Sequence, residues 1–83
     1  MELVWLLDFV ALARIGSFTE AAKARNSSQA AFSRRIQALE HWVGARLFER
    51  AAFPIDLTPT GKKFAPIAQS LITQIENAKI GNS

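Results

Sequence analysis

One predicted helix in the middle of the chain carries polar side chains suited to contact with nucleic-acid bases. At about 100° per residue, the face of this third helix opposite its apolar stripe carries Ala30, Arg34, Gln37 and His41. Gln29 projects from its first turn. Arg can bind guanine through two hydrogen bonds, and Gln can do the same for adenine. The first turns are slim enough to approach base edges, so the pattern is that of a helix that enters a DNA major groove.

The charge around this helix has a consistent sign. The segment from Ala21 to Arg50 contains Lys23, Arg25, Arg34, Arg35, Arg46 and Arg50, opposed only by Glu40 and Glu49. A basic surface of this kind attracts a polyanion through counterion release. The net charge of +3 is mild, so a solvated basic face remains the alternative on charge alone.

The start of the helix also fits a nearby phosphate. An acidic residue in the first turn would favour the helix dipole but would be repelled by phosphate, and none occurs from Gln29 to Leu39. Ser28, together with the free amides at the helix start, could hold a phosphate. Ser caps and Arg pairs also occur on ordinary exposed helices, so the "SRR" sequence alone is a weak signal.

Other kinds of site are not indicated. The chain has no cysteine and one histidine, so we expect no disulfide, no metal site and no cofactor. Paired carboxylates at a useful spacing and a glycine-rich phosphate loop are also missing from the sequence. We therefore do not expect an enzyme.

Two helices precede the base-contact helix. Apolar residues at helical spacing predict a first helix over residues 3–15, ended by Gly16. The sequence "SFTE" is typical of a capping box, in which Ser17 accepts from the amide of Glu20 and the Glu20 carboxylate reaches back. It predicts a short second helix over about residues 18–25.

The third helix is predicted over residues 29–43. Ser28 is a suitable N-cap and Gly44 a suitable residue just past the end. Its buried stripe steps by four, three and four residues through Phe32, Ile36, Leu39 and Val43. Because a very short turn joins the second and third helices, the three form a helix-turn-helix unit.

A small wing is predicted next. Leu47 with Phe48, and Ile55 with Leu57, are expected to form two short antiparallel strands around a loop that contains Pro54. The fold class is therefore mainly α, a winged helix-turn-helix followed by a long helix. We place the winged unit at residues 1–58 and the long helix at residues 59–83.

The last helix begins with Thr58 as its cap and Pro59 at its first position. Its apolar residues alternate steps of four and three, as in a coiled-coil seam: Phe64, Ala68, Leu71, Ile75 and Ala78. A chain of 83 residues has a marginal core without additional burial. We therefore expect this helix to pair with a second copy of itself in a homodimer, although its own domain could also cover it.

The sequence resembles the N-terminal DNA-binding domain of LysR-type transcriptional regulators over essentially its whole length. Four blocks carry the resemblance, "GSFTEAA", "SQAAFSRRIQALE", "GARLFER" and "LTPTG". It implies a winged helix-turn-helix whose third helix reads the major groove of an interrupted, often A/T-rich palindrome. It also implies a linker helix that pairs antiparallel in a dimer.

The resemblance assigns roles to individual residues. It implies base contacts from Gln29, Ala30, Ser33 and Arg34. It implies contacts with the DNA backbone from Ser17, Ser28, Arg35 and Arg50. For Arg35 the alternative is an arginine paired with a nearby acid.

This chain departs from the family pattern at two places. Ala30 stands where the family commonly has proline, which leaves the first turn less rigid. Many members carry Arg or Lys at the wing tip, whereas "AAFPID" carries neither and ends in Asp56. Insertion of the wing into the minor groove is therefore doubtful, and Phe53 and Pro54 could instead fold back on the domain.

Full-length members of the family continue into a ligand-binding domain. We expect this chain to be cut at that boundary, with the whole protein a tetramer that responds to a small-molecule or redox effector. The apolar N-terminus is interrupted by Asp8 and Arg14, so no membrane span is expected and the location should be the bacterial cytoplasm. Two other functions stay open, a protein-interaction module that has lost DNA contacts and non-specific DNA packaging.

Overall fold

The computed structural model describes residues 1–79, as four helices and a two-stranded sheet. In chain order these are α1 (Leu3–Ile15), α2 (Phe18–Ala24), α3 (Gln29–Val43), β1 (Phe48–Glu49), β2 (Asp56–Leu57) and α4 (Pro59–Ala78). The winged helix-turn-helix with a long last helix is confirmed. The part of the predicted last helix beyond residue 79 lies outside the described residues.

Caps fix the boundaries of the helices. Gly16 and Gly44 end α1 and α3 with φ values of 76° and 89°, a left-handed conformation that glycine adopts at low cost. At the starts, the hydroxyl oxygens of Ser17, Ser28 and Thr58 accept hydrogen bonds from the amides three residues further on.

The capping box predicted for α2 is only half formed. Ser17 Oγ accepts from the amide of Glu20 at 3.2 Å. The Glu20 carboxylate, however, binds Lys23 Nζ at 3.4 Å. An exposed carboxylate three residues before a lysine has this second partner on its own helix face.

Aromatic rings join the helices at the centre of the core. The ring of Phe9, on α1, lies 5.2 Å from the rings of Phe48 and Phe64, which brings α1, the wing and α4 together. Phe18 meets Phe32 edge to face at 6.0 Å, which holds α2 against α3. The wing and both halves of the helix-turn-helix therefore share one core.

The wing is short, and it is held by the pairing of its two strands and by one hydrogen bond from its loop to the end of α1. Phe48 pairs with Leu57 and Glu49 with Asp56 in antiparallel register. The amide of Ile55 donates to Gly16 O at 2.9 Å, so the loop is tied to the end of α1.

The first half of α4 packs on its own domain, so part of the predicted dimer seam is already covered within the chain. Phe64 and Ala68 are buried against the core, 8% and 0% exposed, because α4 covers α1 there. Leu71 is half-buried, while Ile75 and Ala78 are exposed. The seam available to a second copy is therefore the later part of the predicted set.

No helix within residues 1–79 is long and apolar enough to cross a membrane.

Candidate nucleic-acid interface

The first turns of α3 present the residues predicted to contact bases. Gln29, Ala30 and Arg34 are exposed, and Ser33 is half-buried. Ser28 Oγ accepts from the amide of Ala31 at 3.2 Å, which fixes the start of the helix. Small side chains in these turns leave the helix backbone accessible to a flat surface such as a base-pair edge.

Gln29 is oriented by the preceding helix. The hydroxyl of Thr19, on α2, donates to Gln29 Oε1 at 3.1 Å. The side-chain amide nitrogen of Gln29 keeps its two donors for a ligand. Thr19 on α2 thus orients the polar side chain of the first residue of α3.

Arg34 has no ion-pair partner in the described part of the chain. Its side chain is exposed, and within residues 1–79 no acid lies in salt-bridge contact with it. A free guanidinium offers five donors in a planar fork, the geometry needed for two parallel hydrogen bonds to guanine.

The two serines predicted to contact the DNA backbone are helix caps. Ser17 and Ser28 use their hydroxyl oxygens as acceptors for backbone amides. A hydroxyl that accepts still has one hydrogen to donate. Both positions lie at helix N-termini, where the dipole and free amides favour a phosphate.

Arg35 is held by a buried acid. Asp8, on α1, is 0% exposed, and its two carboxylate oxygens lie 2.8 Å from Arg25 Nε and 2.5 Å from Arg35 Nε. This cluster joins α1, the end of α2 and α3. Pairing with a nearby acid, the alternative considered for Arg35, is what the structure shows. A contact of Arg35 with the DNA backbone stays a prediction.

Arg50 is held in the same manner on the other side of α3. Its Nη2 lies 3.0 Å from Oε1 of the buried Glu40, and its guanidinium carbon lies 4.9 Å from the centre of the Phe18 ring. Its Nε is buried without a hydrogen-bond partner within the described part of the chain. The predicted backbone contact of Arg50 therefore competes with an existing intramolecular role.

Sequence reasoning did not identify these two acids. Glu40 also accepts from the amides of Leu47 and Phe48, at 2.8 and 3.3 Å, and so ties α3 to the wing strand. The available signal was position, because Asp8 and Glu40 lie on apolar helix faces where an unpaired acid would be costly.

The two residues of the wing tip differ in their contacts. The Phe53 side chain is 91% exposed, so the idea that it packs on the domain is wrong, whereas Pro54, although largely exposed, lies against Gly16 at the end of α1. The anchoring contact is made instead by the backbone of Ile55. The tip carries no charge to offer a phosphate.

A groove opens between α3 and the wing. We name it the α3–β1 groove. It has a volume of about 450 Å³ and is lined by Gln37, Glu40, His41, Ala45, Arg46 and Arg50. Within residues 1–79 no group of three or more His, Cys, Asp or Glu residues could hold a metal ion.

Comparison with known proteins identifies relatives for this arrangement. Residues 3–62 match the family described as bacterial regulatory helix-turn-helix protein, lysR family. The HTH-type transcriptional regulator YjiE of Escherichia coli strain K12 is 44% identical over 77 residues, which cover 93% of this chain and 25% of YjiE. The chain thus spans about a quarter of that relative's length.

Solved structures include relatives bound to DNA. Vibrio fischeri DarR in complex with DNA is 51% identical, with a TM-score of 0.91, and the match covers 93% of this chain and 26% of DarR. The BenM_DBD/benA site 1 DNA complex is 39% identical, with a TM-score of 0.88, and the match covers 93% of this chain and 90% of that chain.

Proposed function

The chain belongs to the LysR family of bacterial regulatory helix-turn-helix proteins, and we propose that it binds operator DNA with α3 in the major groove. The relatives found are transcriptional regulators rather than enzymes. The observation that carries the proposal is the capped first half of α3, where small residues surround exposed Gln29 and unpaired Arg34. Sequence-specific DNA binding follows from donors held at the surface of a rigid helix.

The residues divide by role. Gln29, Ala30, Ser33 and Arg34 face the base edges, with Ala30 offering an apolar contact to a thymine methyl group. Ser17 and Ser28 donate to phosphates on the two sides of the turn.

Arg35 and Arg50 act chiefly inside the protein. Asp8 and Glu40 hold their guanidinium groups, so these arginines set the angle of α3 and the place of the wing. Their exposed nitrogens that do not bind the acids remain available to the DNA backbone, but as a smaller part of the binding energy; the buried Arg50 Nε is not among them.

A homodimer would place two copies of α3 on one face of the duplex. The exposed apolar residues of α4 support this, since Ile67 and Ile75 are 53% and 38% exposed and Leu71 is half-buried between them. An antiparallel pair of α4 helices would bury them. A two-fold axis there requires an inverted repeat with fixed half-site spacing.

The proposal also includes the organisation of the complete regulator. We infer a winged unit over residues 1–58 and a linker unit over 59–83, whose described helix is α4 (Pro59–Ala78). In the bacterial cytoplasm the complete regulator would be a tetramer that responds to a small-molecule or redox effector. The relatives of solved structure include HypT, a hypochlorite-specific regulator, and an OxyR mutant with H2O2 bound; these effectors belong to those proteins.

In vitro selection on random duplex DNA at near-physiological salt tests the proposal. Enrichment of an inverted repeat with one fixed spacing is the expected result. Recovery of DNA without a shared motif would contradict sequence reading and leave binding by charge alone.

A protein-interaction module is the second candidate. The exposed, uncharged Phe53 at the wing tip favours it, because an isolated aromatic side chain suits an apolar partner surface. Failure of the wild-type chain to recover any DNA in the selection would move this function to first place.

A further inference from the structure

The α3–β1 groove continues the surface predicted to face DNA. Gln37 and His41 line it, and both lie on the same side of α3 as Arg34, three and seven residues further along the helix. The groove is therefore reached from the base-reading end of α3 by moving along one face of the helix.

The distance along this face matches the width of a DNA groove. At 1.5 Å per residue, His41 lies about 10 Å from Arg34 along the helix axis. The major groove is about 12 Å wide. With the first turns of α3 at the base edges, its last turn and the residues after it would lie beside a sugar-phosphate strand.

Among residues 1–79, one arginine in the groove, Arg46, has no ion-pair partner. The Arg50 guanidinium is bound to Glu40, and the Glu40 carboxylate also accepts from two backbone amides. The Arg46 side chain is exposed, and no salt bridge within residues 1–79 involves it. Arg46 therefore gives the groove its positive charge.

The backbone that carries Arg46 is fixed on both sides. Arg46 O accepts from the hydroxyl of Thr58 at 2.7 Å. The next amide, that of Leu47, donates to Glu40 Oε2 at 2.8 Å, and the Leu47 side chain is 0% exposed. Binding through Arg46 thus requires ordering of its side chain only.

We propose that the α3–β1 groove is a DNA-backbone site in which Arg46, beside His41, binds a phosphate. This site takes the position that the family resemblance gives to Arg50, whose charge is already used inside the protein. The inference rests on the proposed DNA binding and names a further contact for it.

The test compares Arg46→Gln with the wild-type chain on the selected operator and on a scrambled duplex. Phosphate contacts carry no sequence information, so the affinity should fall by a similar factor on both duplexes, roughly fivefold for each contact worth about 1 kcal/mol, or roughly 25-fold for the two contacts of a dimer. The slope of log K against log salt concentration should become shallower by about 0.9 for each phosphate that the protein no longer neutralises, or about 1.8 per dimer.

Two further variants control for charge and folding. Arg46→Lys keeps the cation and should retain most of the affinity and the slope. Lys79→Gln removes the same charge from the end of α4, where Lys79 binds Glu76 at 3.2 Å, and should leave both quantities close to those of the wild type. Circular dichroism melting of each variant checks that the fold is kept.

Three other outcomes would each overturn the phosphate site at Arg46. Unchanged affinity and slope in Arg46→Gln, with wild-type protein that binds the operator, would overturn the groove site and leave the proposed function intact. A decrease confined to the operator would make Arg46 a base contact instead. Wild-type protein that binds neither duplex would overturn both proposals.

Discussion

Replacing Asp8 with Asn should strongly destabilise the fold. Asp8 is 0% exposed and holds two arginines, Arg25 and Arg35, whose side chains are 28% and 27% exposed. Removing one partner of a buried ion pair costs about 3–5 kcal/mol. Since water can partly rehydrate both arginines, we expect the lower end, about 3 kcal/mol. For a domain of 60–100 residues this corresponds to a fall in Tm of about 12–24 °C.

The measurement is thermal unfolding followed by circular dichroism at one fixed protein concentration, because association adds to apparent stability. Glu20→Gln is the matched control. Glu20 pairs with Lys23 at the surface, 61% and 71% exposed, and exposed pairs of this spacing contribute at most about 0.5 kcal/mol. An Asp8→Asn protein whose Tm falls no further than that of Glu20→Gln would refute the assignment of Asp8 as the acid that holds the helices together.

Three further changes test the interface, the dimer and the core. Arg34→Ala should cost roughly 1–3 kcal/mol of operator binding and relax preference at one base pair of each half-site; an equal decrease on all sequences in a binding titration would make it a phosphate contact. Leu71→Asp should dissociate the dimer in sedimentation, whereas Thr73→Asp, exposed on another face of α4, should not; an unchanged Leu71→Asp dimer would reject α4 as the interface. Gly61→Ala should lower the Tm, because a Cβ there would overlap the carbonyl oxygen of Leu47; a Tm equal to that of the wild type would show that α4 can shift away freely.

Local sequence signals were sufficient for the elements of this fold. The bounds predicted for the first and third helices coincide with α1 and α3, because glycine at 16 and 44 and serine at 28 act within one turn of the helix ends. The wing was predicted from two short apolar runs, and the structure places strands at Phe48–Glu49 and Asp56–Leu57. Helix caps and the spacing of apolar residues depend on residues only a few positions apart, so one sequence is sufficient to predict them.

Long-range pairing could not be predicted in the same way. Asp8 lies 17 and 27 residues from its two arginines, and its position on an apolar helix face indicates burial but not which cations bind it. The surface that covers the α4 seam could not be predicted for a related reason. Its spacing showed that Phe64 and Ala68 would be buried, but spacing alone does not say whether the same chain or a second copy buries them.

The arginines between residues 21 and 50 divide into two groups that composition does not separate. Arg25, Arg35 and Arg50 are bound to the buried Asp8 and Glu40, whereas Arg34 and Arg46 have no such partner within residues 1–79. The bound arginines fix α3 against α1 and the wing, and the free ones are left to meet DNA. The three bound arginines and the two buried acids together carry +1, so the net charge of +3 does not give the number of unpaired cations at the surface that faces DNA. The salt dependence of binding should therefore follow the unpaired cations rather than the total charge.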